Sequence, residues 1–247
     1  MAGLYYLLGP FGLVLQLIAI VHFIRRRPDG YWLWVIFIGG WLGALVYIAI
    51  EVIPDLGLLG NTFRGFSRRN RIQELEAAVL DNPSAGNYEE LGELYLDEGK
   101  FARARQCFDK AISSRTDSPD PFYRRALAAL GMNDMDAAVP DLERVVAIDP
   151  KYDFYRAQGL LAHALAHTGR PERAGKLFAQ VTEQSTLSET HYNYASFLAS
   201  QGRHAEAREI AQHLLAKKAT MPHFLKRRDR PWFRRAHALL KQLPQTR

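Results

Sequence analysis

The stretch AGNYEELGELYLDEGKFARARQCFDKAISSRTDS, residues 85–118, decides the fold of this chain. Apolar and small residues recur in it every three or four positions on both sides of Gly99, which is the spacing of one helix face. Glycine tolerates the left-handed backbone that ends a helix, so Gly99 marks a turn. The stretch therefore predicts two antiparallel helices. Small residues at Gly92 and Ala104 would let them approach closely, and larger ones would fill the gaps: Tyr88, Leu91, Tyr95, Phe108.

The same pattern occurs three more times further along the chain. The turn residues Gly99, Asn133, Gly169 and Gly202 are separated by 34, 36 and 33 residues. The predicted units are 85–118, 119–152, 155–188 and 188–221, and Leu75, Ala78 and Pro83 resemble the second helix of an incomplete leading unit. A single helix pair cannot bury its apolar face, so the pairs are expected to stack into one continuous core.

These units resemble the tetratricopeptide repeat, which has a period of 34 residues and a small-residue and aromatic pattern of this kind. The resemblance covers residues 72–220, with Gln158 and His191 departing from it in the slot for a large aromatic residue. It implies an all-α fold, an α-solenoid of about four helix pairs. It also implies a concave groove that is lined by the first helix of each repeat and holds a partner peptide or helix.

The family's groove register, carried onto this sequence, implies a set of partner-binding residues. We expect a non-catalytic scaffold or adaptor that binds a protein or peptide whose identity the sequence does not give. Chaperone-binding members clamp a terminal carboxylate with Lys and Asn, but here two of those slots hold Glu, which disfavours that activity. The expected groove residues are Glu89, Glu93, Tyr123, Arg124, Leu127, His163, His167, Tyr192, Asn193 and Ser196.

Residues 1–60 are predicted to form a transmembrane helical hairpin. Leu4–Ile24 contains no charge and Tyr31–Ile53 contains only Glu51, and each is long enough for a bilayer core of about 30 Å. Three arginines and Pro28-Asp29-Gly30 lie between them and favour a turn. A cleaved signal peptide fits poorly, because the arginines follow the apolar stretch rather than precede it. A buried soluble hairpin would need polar faces, which are absent.

The same segment resembles the N-terminal two-helix module of bacterial cardiolipin synthases and related phospholipase D proteins. The resemblance rests on His22, Arg25–Arg27, Trp34 and Gly43–Tyr47. None of the eight histidines begins the H-x-K-x4-D motif of the catalytic part, so only an anchor is implied. We expect a multi-pass protein of the bacterial inner membrane with cytoplasmic repeats, although positive charges on both sides leave the orientation open.

Charge is distributed unevenly over the chain. Residues 61–71, a predicted linker, carry net +4, residues 72–212 carry −7, and residues 213–247 carry +9. Residues 222–242 read as a terminal helix that caps the last repeat, with the basic tail extending to 247. The basic cluster could contact anionic lipid, phosphate or only solvent. An accessory role in phospholipid or envelope biogenesis is therefore the alternative function, with nucleic acid unlikely. The expected lipid or anion contacts are Arg227, Arg228, Arg230, Arg234 and Arg235.

Other candidate chemistry is weak, so we expect no cofactor, metal or catalytic residue. His163 and His167 share a helix face at a spacing that can hold a metal, but no third ligand is evident. The acidic run from Glu89 to Glu98 reads as a solvated face, or as a patch for a basic partner. Cys107 is the single cysteine, which excludes an intramolecular disulfide.

Overall fold

A computed structural model describes the backbone of residues 2–26, 30–52, 58–114 and 118–244, and the side chains of 12–24, 30–51, 68–113 and 118–244. Within these ranges the regular structure is entirely helical. The chain divides into two compact units, Met1–Gln73 and Glu74–Arg247. Residues 27–29 of the predicted hairpin turn and residues 245–247 of the C-terminal tail lie outside the described residues, whereas the predicted linker, residues 61–71, lies within the helix Leu58–Asp81.

The first unit contains one long helix and shorter ones packed around aromatic side chains. Its elements are α1 (Ala2–Arg26), α2 (Tyr31–Ile38), α3 (Gly40–Tyr47), a π-helical turn (Ile48–Val52) and the start of α4 (Leu58–Asp81). Trp32 and Tyr47 are buried with their rings 5.3 Å apart, edge to face. A Cβ on Gly43 would lie 1.9 Å from the carbonyl oxygen of Val35, so the close approach of α2 and α3 requires glycine there.

The described residues contain no helix with both the length and the apolar character needed to cross a membrane. The second apolar stretch divides at Gly40, whose φ is +55°, and yields two helices of eight residues. Each is about 12 Å long, whereas a bilayer core is about 30 Å thick. The predicted multi-pass inner-membrane localisation with cytoplasmic repeats is therefore wrong, and the transmembrane hairpin on which it rested has no support. The apolar composition of the stretch does not reveal this break in the helix.

The second unit is a stack of four helix pairs. Each of the four predicted turn residues adopts the left-handed backbone: Gly99 at φ 71°, Asn133 at 60°, Gly169 at 72° and Gly202 at 75°. The predicted repeat pattern and its solenoid are confirmed. The pairs are α5 (Ala85–Asp97) with α6 (Phe101–Ser114), α7 (Asp120–Gly131) with α8 (Met135–Ile148), α9 (Arg156–His167) with α10 (Pro171–Gln184), and α11 (Ser188–Ser200) with α12 (His204–Lys217).

Capping and close packing explain where these helices begin and how they pair. The Ser84 hydroxyl accepts a hydrogen bond from the Asn87 amide at the start of α5, and Asp134 caps α8 in the same way. A Cβ on Gly92 would lie 2.8 Å from the Phe108 ring, so the small residue sets the separation of α5 and α6. The sequence signals that predicted the repeat are thus the ones that shape it.

Stacking creates an inner face from the first helix of each pair. Helix α5 packs on α7, and α9 packs on α11, whereas each second helix packs on the first helix of the next pair. From α7 to α12 the buried residues form one continuous core, in which Phe122, Leu142, Phe178 and Leu198 are at most 4% exposed. The first helices can therefore present a groove.

The end of the stack is covered by two short helices, α13 (His223–Arg228) and α14 (Arg230–Gln242). The sequence pattern indicated a single helix over 222–242, but the structure interrupts it at Asp229, just before Pro231. Phe233 and Ala236 on α14 are buried against Leu214 of α12. Helix α14 therefore covers apolar surface that the last repeat would otherwise expose to water.

Candidate functional site

A cleft of about 560 Å³ opens on the inner face between α9, α11 and α14. It collects five of the ten expected groove residues, from the third and fourth repeats: His163, His167, Tyr192, Asn193 and Ser196. The remaining lining residues were not expected in the groove: Leu130, Met135, Leu160, Ala166, Glu189, Phe197, Ser200, Trp232 and Arg235. The cleft combines apolar walls with a few polar groups, as small binding sites do.

The wall formed by α9 carries two histidines whose rings are in contact and tilted by 57°. The rings of His163 and His167 lie 4.4 Å apart, and His167 Nδ1 is 2.9 Å from the carbonyl oxygen of His163. Burial, reinforced by the neighbouring His167, lowers the pKa of His163 to about 4. Its imidazole is therefore neutral at pH 7 and offers one donor and one acceptor. In the described part of the chain, no group of three or more His, Cys, Asp or Glu could hold a metal.

The wall formed by α11 presents uncharged hydrogen-bonding groups. The Asn193 side chain is buried, with 7% exposure, and Tyr192 and Ser196 are half-buried beside it. Because none of their side chains is hydrogen-bonded within the described residues, their amide and hydroxyl groups are available to a ligand.

The third wall comes from α14 and was not expected. Trp232 lies 5.7 Å from the Tyr192 ring, and the Arg235 guanidinium lies 4.7 Å from the Trp232 ring. A buried hydrogen bond of 2.8 Å from the Ser188 hydroxyl to Asp229 fixes the start of α14 on α11. The sequence showed Trp232 as part of an apolar stripe and Arg235 as part of a basic cluster. It gave no signal that α14 turns these two residues toward the groove.

The other five expected groove residues lie on α5 and α7, outside the cleft. Arg124 of α7 pairs with Glu93 of α5 at 3.2 Å. One carboxylate oxygen of Glu89 is buried without a hydrogen-bond partner among the described residues. Leu127 is half-buried and packs against the core. The Arg124–Glu93 ion pair joins the first repeat to the second.

Tyr123 is buried rather than displayed in the groove. It is 3% exposed, and its hydroxyl donates to Asp153 at 2.6 Å, while burial raises its pKa. Arg156 lies beside this bond and pairs with Glu189 at 2.7 Å and Asp153 at 3.5 Å. The network joins α7, the loop before α9, and α11, so Tyr123 positions repeats and is a poor choice for a binding test.

The C-terminal basic residues are mostly exposed. Arg227, Arg230 and Arg234 point to solvent, and Arg228 pairs with the buried Asp229 at 2.7 Å. No observation supports the lipid contact expected of this cluster. Arg235 differs from the rest, because it also lines the cleft.

Comparison with protein families identifies the repeats. Tetratricopeptide repeat models match residues 85–117, 129–188 and 188–213. The matches begin at α5 and end within α12, and they leave residues 118–128, most of α7, unmatched. They do not support the resemblance of residues 1–60 to the cardiolipin synthase module.

Solved structures show the same fold. MamA from Desulfovibrio magneticus RS-1 superposes with a TM-score of 0.59 and 18% identity, covering 70% of this chain and 97% of that one. YrrB, a TPR protein with an unusual peptide-binding site, superposes with a TM-score of 0.55 and 23% identity, covering 74% of this chain and 92% of that one. The TPR protein TTC0263 from Thermus thermophilus superposes with a TM-score of 0.54 and 15% identity, covering 74% of this chain and 96% of that one. At these identities the likeness concerns the fold alone.

Curated relatives match through their repeats only. Mouse DnaJ homolog subfamily C member 3 is 33% identical over 104 residues, which are 42% of this chain and 20% of the relative. Small glutamine-rich tetratricopeptide repeat-containing protein 2 from Mycosarcoma maydis is 32% identical over 89 residues, 36% of this chain and 25% of the relative. The chain thus spans about a fifth to a quarter of the curated relatives it matches.

Proposed function

We propose that this tetratricopeptide repeat chain is a scaffold that binds an extended segment of a partner protein in the cleft between α9, α11 and α14, and that it acts without catalysis. The observation that carries the proposal is the cleft itself. Two repeats and the capping helix bring to one surface apolar walls, the neutral imidazole of His163, and amide and hydroxyl groups to which no described residue is hydrogen-bonded. Such a combination suits peptide recognition, because apolar area supplies affinity and polar groups select the sequence.

The tetratricopeptide fold supports this proposal independently of the cleft. YrrB, which shares the fold, has a peptide-binding site. The apolar cleft wall is formed by Leu160, Phe197 and Trp232, which belong to three different helices. A partner that inserts an apolar side chain there would therefore contact the third repeat, the fourth repeat and the cap together.

Site-specific photocrosslinking tests the proposal in the source cells. A photoreactive phenylalanine analogue replaces His167, which is exposed at the cleft edge. The control carries the same analogue at Glu209, exposed on α12 and outside the cleft lining. We expect a discrete protein adduct at His167 that is absent at Glu209 and is lost on adding Tyr192→Ala. Identical adducts at both positions, or an adduct that persists in Tyr192→Ala, would contradict binding in the cleft.

A further inference from the structure

The cleft contains one charge that no described residue neutralises. Glu189 and Arg235 are the acidic and the basic side chain among its lining residues, apart from the histidines. Glu189 pairs with Arg156 at 2.7 Å, so its charge is already compensated. Within the described residues Arg235 has no carboxylate in ion-pair distance, and its only recorded contact is with the Trp232 ring. The Arg235 side chain is therefore a positive charge in the cleft that no described carboxylate compensates.

We propose that this cleft recognises an acidic side chain, Asp or Glu, in the bound segment of the partner protein, with Arg235 binding the carboxylate. This inference rests on the function proposed above and adds the chemistry of the partner. Complementary charge selects among partners and suppresses those that bring a like charge to the same place. A Lys or Arg in the segment would be repelled by Arg235.

The position of Arg235 suits a carboxylate. Its guanidinium carbon lies 4.7 Å from the centre of the Trp232 ring, which is a cation–π contact. Within the described residues its N–H groups donate no hydrogen bond, so they are available to the two oxygens of a carboxylate. Trp232 thus favours a position of Arg235 at the cleft.

Neighbouring groups favour an acidic residue with apolar neighbours. Asn193, Ser196 and Tyr192 supply amide and hydroxyl donors that have no acceptor within the described protein. Leu160 and Phe197 provide apolar surface in the same cleft. A segment with one carboxylate between apolar side chains would satisfy both kinds of surface, whereas a strongly acidic segment would leave the apolar wall uncovered.

Peptide selection on the full chain tests this chemistry. A phage library of random twelve-residue peptides is selected on the wild type, on Arg235→Glu and on Arg234→Gln. Arg234 is the matched control, because it is exposed on the same helix but does not line the cleft. We expect wild type and Arg234→Gln to enrich one Asp or Glu position, and Arg235→Glu to enrich Lys or Arg there. Enrichment without acidic residues, or an unchanged preference in Arg235→Glu, would overturn the inference.

A double-mutant cycle then assigns the contact. A fluorescein-labelled peptide from the selection should lose about tenfold in affinity on Arg235→Gln, and about tenfold when its acidic residue becomes the amide. The two changes together should cost no more than either one alone. If the affinity losses from the two changes were fully additive, the proposed contact between Arg235 and the acidic residue would be wrong. Peptides that bind Tyr192→Ala as tightly as wild type would overturn the proposed cleft function itself, which distinguishes the two failures.

Discussion

His163 gives the sharpest test of how the cleft is built. Burial and His167 lower the pKa of its imidazole from 6.5 to about 4, so the folded protein resists its protonation. In the unfolded chain the same group takes up a proton near pH 6.5. As pH falls from about 6.5 toward 4, the unfolded state therefore binds more protons than the folded state, and stability declines.

The size of this effect follows from the shift. One pKa unit corresponds to about 1.4 kcal/mol, so a shift of about 2.5 units sets an upper bound of roughly 3 kcal/mol. The side chain is partly exposed to the cleft, which reduces that value. Between pH 7 and pH 4.5 we expect wild type to lose about 2 kcal/mol more stability than His163→Gln, because glutamine cannot be protonated.

Urea denaturation at the two pH values, followed by far-UV circular dichroism, measures the difference. His237→Gln, exposed on α14, controls for the loss of a histidine. Burial also lowers the pKa of His191, but that residue is present in every variant, so its contribution cancels. Equal losses in wild type and His163→Gln would show that the imidazole is not desolvated in the folded chain, and that the cleft wall is built differently.

Three further predictions concern the repeats. Gly92→Ala should destabilise the fold by about 1–3 kcal/mol, because the added Cβ would lie 2.8 Å from an aromatic ring of α6. Gly86→Ala should stabilise the fold by about 0.5 kcal/mol, because open space surrounds that position and alanine favours a helix. Thermal melts compare the two variants with wild type. Arg125→Ala should cost about 3 kcal/mol in urea denaturation by leaving the buried Asp141 unpaired, and Arg125→Ala with Asp141→Leu should recover much of it. Cys107 should react with a thiol reagent at pH 8 only on unfolding, since burial raises its pKa to about 11; fast labelling of the native chain would contradict this.

The sequence predicted the repeats well because their signals are local. The residues at 99, 133, 169 and 202 have a left-handed backbone that glycine and asparagine tolerate, and each one sits at the end of an apolar helical pattern. Small residues such as Gly92 mark where two helices touch. The spacing of residues within one segment of the chain indicates both the turns and the helix contacts. The four repeats could therefore be aligned with one another from the sequence.

The prediction of membrane localisation was wrong because the sequence did not reveal a break in a helix. Tyr31–Ile53 has the composition of a membrane span, but Gly40 adopts φ +55° and the stretch becomes short helices packed around Trp32 and Tyr47. Hydropathy averages over a window and does not register a change of backbone direction within it.

The sequence by itself determined the helix pairs and their turns, because both follow from helical periodicity. Only the tertiary structure decided which residues form the cleft. It buried Tyr123 in a contact between repeats, paired Arg124 with Glu93, and placed Trp232 and Arg235 opposite α9 and α11. These outcomes depend on how α14 packs against the last repeat, through contacts between residues distant in sequence such as Ser188 and Asp229.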